Sequence, residues 1–283
     1  MPPVKNWIIP PYVISKNKVE QPPEKSSAVI LRERLPLKIG KLEKVCCGIY
    51  LVLIACAEAS TIYNPTLGIA FHIAIFFVLL THSVLAKKSI FSGLLLALAV
   101  APLIRILSLS MPLTHFAYIM WFLLISIPIF IAVFACMMLQ GLSLKDVGIT
   151  LPKAKDIPIE LGIVLLALPI GILEYQILTP GPLLYELTPT YLIAPVFIMV
   201  ICTGFVEELA FRGLMQYHAV KTMGWWGILF ITAVFAIMHI GNLVYWDMLF
   251  AFAIGGIYAL IVKKTGSIYG VSLSHGLVNV FCS

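Results

Sequence analysis

The chain has 283 residues, 61% of them hydrophobic and only 11% charged, with a mean hydropathy of +1.03 and a formal net charge of +6. That balance defines a polytopic membrane protein and leaves no room for a separate soluble domain beyond Val45. The positive charge is concentrated at the start. Residues 1–44 carry nine Lys or Arg (Lys5, Lys16, Lys18, Lys25, Arg32, Arg34, Lys38, Lys41 and Lys44) against four Glu, with paired prolines at Pro2-Pro3, Pro10-Pro11 and Pro22-Pro23. This segment is expected to be a largely disordered cytoplasmic tail lying near anionic lipid. Its charge is diffuse and adjoins a span, which argues against nucleic acid as its partner. It lacks the apolar core and cleavage site of a signal peptide, so the first span is expected to serve as an uncleaved insertion signal.

Predicted spans follow at 45–63, 66–85, 89–108, 115–140, 160–178, 191–216, 224–240, 243–262 and 267–282. Hydrocarbon forces the backbone to satisfy its own hydrogen bonds, and no alternating pattern suggests a barrel. The expected fold is therefore all-α, a polytopic membrane helical bundle of eight to nine transmembrane helices. The N-terminal transmembrane helices occupy 45–140. The polar break from Gly141 to Pro158, expected as a cytoplasmic loop with a short interfacial helix, opens a second unit over 141–283. With nine spans, Lys87-Lys88, Lys145, Lys153, Lys155, the Arg212 to Lys221 stretch and Lys263-Lys264 share the tail's side. The opposite connections (Tyr63-Asn64-Pro65, 109–114, 179–190 and Gly241-Asn242) carry no Lys or Arg. The N-terminus is accordingly expected in the cytoplasm and the C-terminus outside, in a plasma or cell membrane.

Several polar residues interrupt these spans. Glu58 and Arg105, near the outer ends of the first and third, are expected to snorkel to water, a buried pair between them being the alternative. Glu174 is expected at the outer rim, and His115 and His218 at the interface. His72 and His82 are expected to be satisfied by backbone or headgroups, since neither has a ligand-spaced neighbour. The six cysteines (Cys46, Cys47, Cys56, Cys136, Cys202 and Cys282) include no CxxC pair, so neither a disulfide framework nor a thiolate metal site is expected.

The sixth span holds Glu207 and Glu208 side by side, with Arg212 four residues on from Glu208. An ionised side chain at a bilayer centre costs at least about 2.5–3.5 kcal/mol, so such residues point to function. Glu208 and Arg212 share a helix face and are expected to pair. Glu207, rotated by about 100°, is left to bind a proton, a water or a metal. His239 closes the seventh span. In the last, His275 and Asn279 are again four apart and present two neutral hydrogen-bond donors, which an oxyanion requires. Together these residues suggest a hydrolytic site with Glu207 as general base. At about 1.5 Å per residue, Glu207, His239 and His275 need not share a depth, so tilt or a re-entrant segment must bring them level.

Glu207-Glu208-Leu-Ala-Phe-Arg212 resembles the EExxxR motif of the type II CAAX prenyl proteases and their bacteriocin-processing relatives, the CPBP or Abi intramembrane proteases. Phe235-Ala-Ile-Met-His239 resembles the family's FxxxH motif and His275-Gly-Leu-Val-Asn279 its HxxxN motif, in the family's order. The resemblance implies a CAAX protease-like catalytic core over 141–283 and an endopeptidase that cleaves near the C-terminus of prenylated proteins. It makes Glu207 the base, gives His239 a part in positioning the water, places His275 and Asn279 at the oxyanion and leaves Glu208 and Arg212 supporting. The expected partners are membrane lipid and a peptide or prenylated protein substrate, with no nucleic acid. No cofactor is expected; there is no HExxH, and the alternative is zinc at Glu207, His239 and His275. Also open is a non-catalytic role, as a membrane scaffold or immunity protein, or as a proton-coupled carrier with Glu207 and the histidines as its relay.

Overall fold

The computed structural model describes residues 40–87, 89–179, 189–242 and 245–282. The predicted tail up to residue 39, Lys88 and most of the predicted 179–190 connection lie outside the described residues. Nine helices follow in chain order: α1 Lys41–Tyr63, α2 Pro65–Leu85, α3 Ile90–Ser110, α4 Tyr118–Leu139, α5 Ala154–Leu178, α6 from Pro189 to Met223, α7 Trp225–Ile237, α8 Tyr245–Thr265 and α9 Tyr269–Phe281. There is no strand among the described residues. Each predicted span coincides with one helix. Local chemistry sets several starts. The Asn64 side chain accepts from Leu67 N at 3.1 Å ahead of Pro65, and Ser89 accepts from Ser92 N at 3.0 Å. Gly224, at φ +60°, turns the chain between α6 and α7, a conformation that side chains disfavour.

Seven helices, α1 to α6 and α8, are long and apolar enough to cross a membrane. The protein is therefore an integral membrane protein. Large apolar side chains such as Val52, Phe77, Ile131 and Phe197 are exposed on these helices, while Glu58, Glu208 and Arg212 are buried. That inversion of the soluble pattern suits lipid. The remaining two, α7 and α9, have 13 residues each, and at about 1.5 Å per residue they fall short of the roughly 30 Å hydrocarbon core. His275 stands on α9, and His239 follows directly on the end of α7.

Glycines let α6 and α9 touch along their backbones. A Cβ on Gly204 would lie 2.5 Å from Gly276 N, and one on Gly276 would lie 2.4 Å from Val200 Cα. The start of α9 is pinned from two sides. Ile268 N donates to Gly148 O at 3.0 Å, and the buried Glu160 accepts from Gly270 N at 2.7 Å, a carboxylate at a helix N-terminus. Val147, beside Gly148, is buried in turn, its carbonyl 2.7 Å from where a Gly213 Cβ would stand. Part of the predicted cytoplasmic loop is thus wedged between α6 and the start of α9. From this shared level Glu208 is five residues back along α6 and His275 seven residues on along α9. The wedge ties the two motif-bearing helices together at this level.

Two expectations are corrected. Glu58 and Arg105 do not snorkel: Arg105 Nε donates to Glu58 Oε1 at 2.8 Å, and Glu58 is fully buried. Each charge meets its partner inside the bundle, so neither has reason to reach for water. His218 is buried, and Gly93 of α3 leaves room for its ring. His82 finds its partner in the Tyr50 hydroxyl, at 2.8 Å, rather than in backbone or headgroup.

Replacing Gly276 by Ala is expected to cost about 1–3 kcal/mol through overpacking against Val200. The same change at Gly162, where a Cβ meets nothing within 4 Å, should be neutral or slightly stabilising. Unfolding of both variants in detergent checks this.

Candidate active site

The centre of α6 departs from α-helical geometry. Wide turns with i→i+5 hydrogen bonding run over Met199–Phe205 and Leu209–Met215, on either side of Val206–Glu208. Such turns are rare and recur at functional sites. Here they flank the acidic pair.

The two carboxylates have different surroundings. Glu208 has 0% of its side chain exposed, and its Oε1 accepts from Arg212 Nη1 at 2.8 Å and from His275 Nδ1 at 2.9 Å. The Glu207 side chain is 33% exposed, and its Oε2 lies 3.8 Å from His275 Nε2. Because Glu208 is paired with a guanidinium it is the acceptor, so His275 carries its proton on Nδ1. A neutral His275 then turns a bare Nε2 toward Glu207. That nitrogen becomes a donor only when the ring takes a second proton.

Phe235 explains the first letter of the second motif. Its ring lies 4.0 Å from Arg212 Cζ, packs edge-on against Phe211 at 5.1 Å and His275 at 6.0 Å, and meets the His239 ring at 4.8 Å. The ring face is an apolar surface that still attracts the buried cation. Gly255 of α8 keeps this space clear, since a Cβ there would lie 2.6 Å from Arg212 Nη2 and 2.9 Å from Phe235 Cδ1. His239 Nδ1 donates to Phe235 O at 3.0 Å, which leaves its Nε2 as the acceptor of the neutral ring.

Asn279 Nδ2 donates to Thr203 Oγ1 at 2.8 Å, and the Thr203 hydroxyl donates in turn to the Met199 carbonyl. Behind His275, Tyr258 OH donates to Ser274 Oγ at 2.9 Å and Ser274 donates to Ile163 O at 2.9 Å, lashing α8 and α9 to α5.

Of the residues singled out in the sequence, Glu207, Glu208, Arg212 and His275 are thus in direct contact or within 4 Å of one another. Asn279 is docked one turn before Glu207. His239 joins the cluster through the Phe235 ring, not through an ion pair with Glu207. Among the described residues no three His, Cys, Asp or Glu are grouped to hold a metal ion. Glu174 was missed as a neighbour of the site: expected at the rim, it is half-buried and within electrostatic reach of His275, Asp247 and Glu207. Asp247 is itself buried. Both are carboxylates in predicted spans, so the rule that singled out Glu207 would have found them. No sequence signal marks Thr203, Tyr258 or Ser274.

An all-α membrane bundle with an accessible carboxylate beside a buried acid, guanidinium and imidazole cluster defines the class. Residues 189–281, which contain all three motifs, match the family model described as Type II CAAX prenyl endopeptidase Rce1-like. The match covers about a third of the chain, and it is to the family that the three motifs resemble. No curated protein and no solved structure gives a significant match.

Glu208→Gln removes the charge that Arg212 and His275 share. It is expected to destabilise the fold by about 3–5 kcal/mol, the effect of leaving a buried partner unpaired. Glu207→Gln should change stability by less than about 1 kcal/mol. Parallel unfolding of the two variants in detergent tests this division.

Proposed function

We propose that the protein is an intramembrane endopeptidase that hydrolyses a peptide bond near the C-terminus of prenylated, CAAX-type proteins. The observation that supports this most strongly is the division of labour between adjacent carboxylates. Glu208 is committed to Arg212 and His275, while Glu207 remains accessible beside His275 Nε2. In this reading Glu207 takes a proton from water as the oxygen attacks the scissile carbonyl, and His239 Nε2 accepts from the same water to orient it. The developing oxyanion is met by Asn279 and by His275, which donates from Nε2 once its ring carries a second proton. When the C–N bond breaks, Glu207 returns its proton to the departing amine. The proton that Glu207 takes from water is the one it returns to the amine, and the second proton on His275 comes from the solvent that reaches the partly open site.

The location suits a lipidated substrate. The bilayer solvates an isoprenoid chain, and the Lys-bearing helix ends are placed in the cytoplasm, where the peptide arrives. In this reading the N-terminus is cytoplasmic and the protein sits in a plasma or cell membrane. A second reading has one observation in its favour: Glu174 lies within electrostatic reach of Asp247, Glu207 and His275, and a proton relay uses such neighbouring groups. A carrier of that kind would show proton-linked flux in liposomes and release no peptide product.

The test is cleavage of a fluorogenic farnesylated C-terminal peptide by the purified protein. Glu207→Ala is expected to lower the rate by about 10²–10⁴-fold while remaining folded, and a chelator to leave the wild-type rate unchanged. Cleavage retained by Glu207→Ala would overturn its assignment as base. Loss of activity with chelator would point to zinc, and a folded wild type that cleaves nothing would contradict the substrate class.

A further inference from the structure

We infer that Arg105 and Glu58, which lie outside the segment matched to the family, are positioning residues that set His239 from the N-terminal helices. Arg105 of α3 donates from Nε to Glu58 Oε1 of α1 at 2.8 Å and from Nη2 to the carbonyl of Met238, the residue before His239. His72 of α2 stands 3.4 Å from the same Glu58 oxygen. Arg105 of α3 thus reaches one peptide of the second motif directly, and it is backed by Glu58 of α1, which His72 of α2 approaches in turn. That peptide closes α7, where helix carbonyls lack an intrahelical partner and the dipole favours a cation. The turn that follows lies over the pair: a Cβ on Gly241 would stand 3.4 Å from Arg105 Nη2 and 3.5 Å from Glu58 Oε2.

A buried ion pair is a poor way to gain stability, because well-packed apolar side chains do as well without desolvating two charges. What this pair supplies is direction. Arg105's planar fork fixes the Met238 carbonyl relative to α1, and His239 hangs from the same turn through its bond to Phe235 O. Displacing the Met238 carbonyl therefore moves the His239 imidazole against Glu207 while leaving the Glu208–Arg212–His275 cluster in place. A catalytic group shifted by about 1 Å loses rate far more than binding.

The role in cleavage rests on the peptidase reading above, and the experiment separates the two. Protein labelled with ¹⁵N-histidine is compared as wild type, Arg105→Lys, Arg105→Gln and the double variant Glu58→Gln/Arg105→Gln, which removes both charges and leaves neither unpaired. The His239 resonances are assigned by their loss in His239→Gln. In Arg105→Gln and the double variant the His239 signals should move or broaden while those of His275 stay in place. The kcat on the farnesylated peptide should fall on the order of 10- to 100-fold with KM nearly unchanged, and Arg105→Lys should recover part of the loss. Unchanged His239 signals in a folded double variant would overturn the inference, as would a kcat equal to wild type. A wild type that cleaves nothing sinks the peptidase reading alone, because the His239 spectrum still decides whether Arg105 sets that ring.

Discussion

An ionised carboxylate in hydrocarbon is stable only where its charge is met, and Glu208 meets a guanidinium and an imidazole on a single oxygen. The rest of the site follows from that arrangement. Arg212 reaches it from one turn along the same helix, so α6 carries its own counter-charge. His275 reaches it from α9, so the last helix is held in rotation as well as in position. Once Glu208 is saturated in this way, the neighbouring carboxylate on the same helix is the one left accessible. Two adjacent glutamates of equal chemistry have different surroundings because one faces the bundle interior and the other a partly open space.

Such a contact needs backbones closer together than ordinary side chains permit. Gly204 and Gly276 let α6 and α9 touch, Gly255 makes room for the guanidinium over Phe235, and Gly213 admits the Val147 carbonyl. The short helices and the wedged loop complete the arrangement. Helices of 13 residues are too short to cross the hydrocarbon core, and each brings a motif histidine to the site from within or just past its own end. Wide turns on either side of the acidic pair set it apart from the regular helix. Each of these devices would be wasteful in a helix that merely crossed the membrane.

Much of this was legible in the sequence. Hydropathy located all nine helices, since each apolar run must satisfy its own backbone. The four-residue spacing of Glu208 and Arg212 was enough to foresee their pairing and the relative freedom of Glu207. What could not be read was anything that depends on which helices are neighbours. Glu58 and Arg105 each sit near a span end, where snorkelling is the economical expectation, and their contact joins residues 47 apart in sequence. His218 was read from its position at a span end, yet it is buried where Gly93 of another helix leaves room for its ring. Val147 and Gly148 lie in a polar stretch whose composition says loop, and only the fit against Gly213 and Ile268 draws them inward. Wide helical turns have no composition of their own. Glu174 and Asp247 differ from these cases, because their signal was present in the chain.

The measurement that tests the shared carboxylate most directly is the ¹⁵N spectrum of His275 in the labelled protein, recorded before and after Glu208→Gln. The structure requires a proton on Nδ1, hydrogen-bonded to Glu208, and a ring whose nitrogen shifts change when that acceptor loses its charge. A bare Nδ1 in the wild type, or a spectrum indifferent to the substitution, would mean that Glu208 and His275 do not meet and that the site is held together by something else.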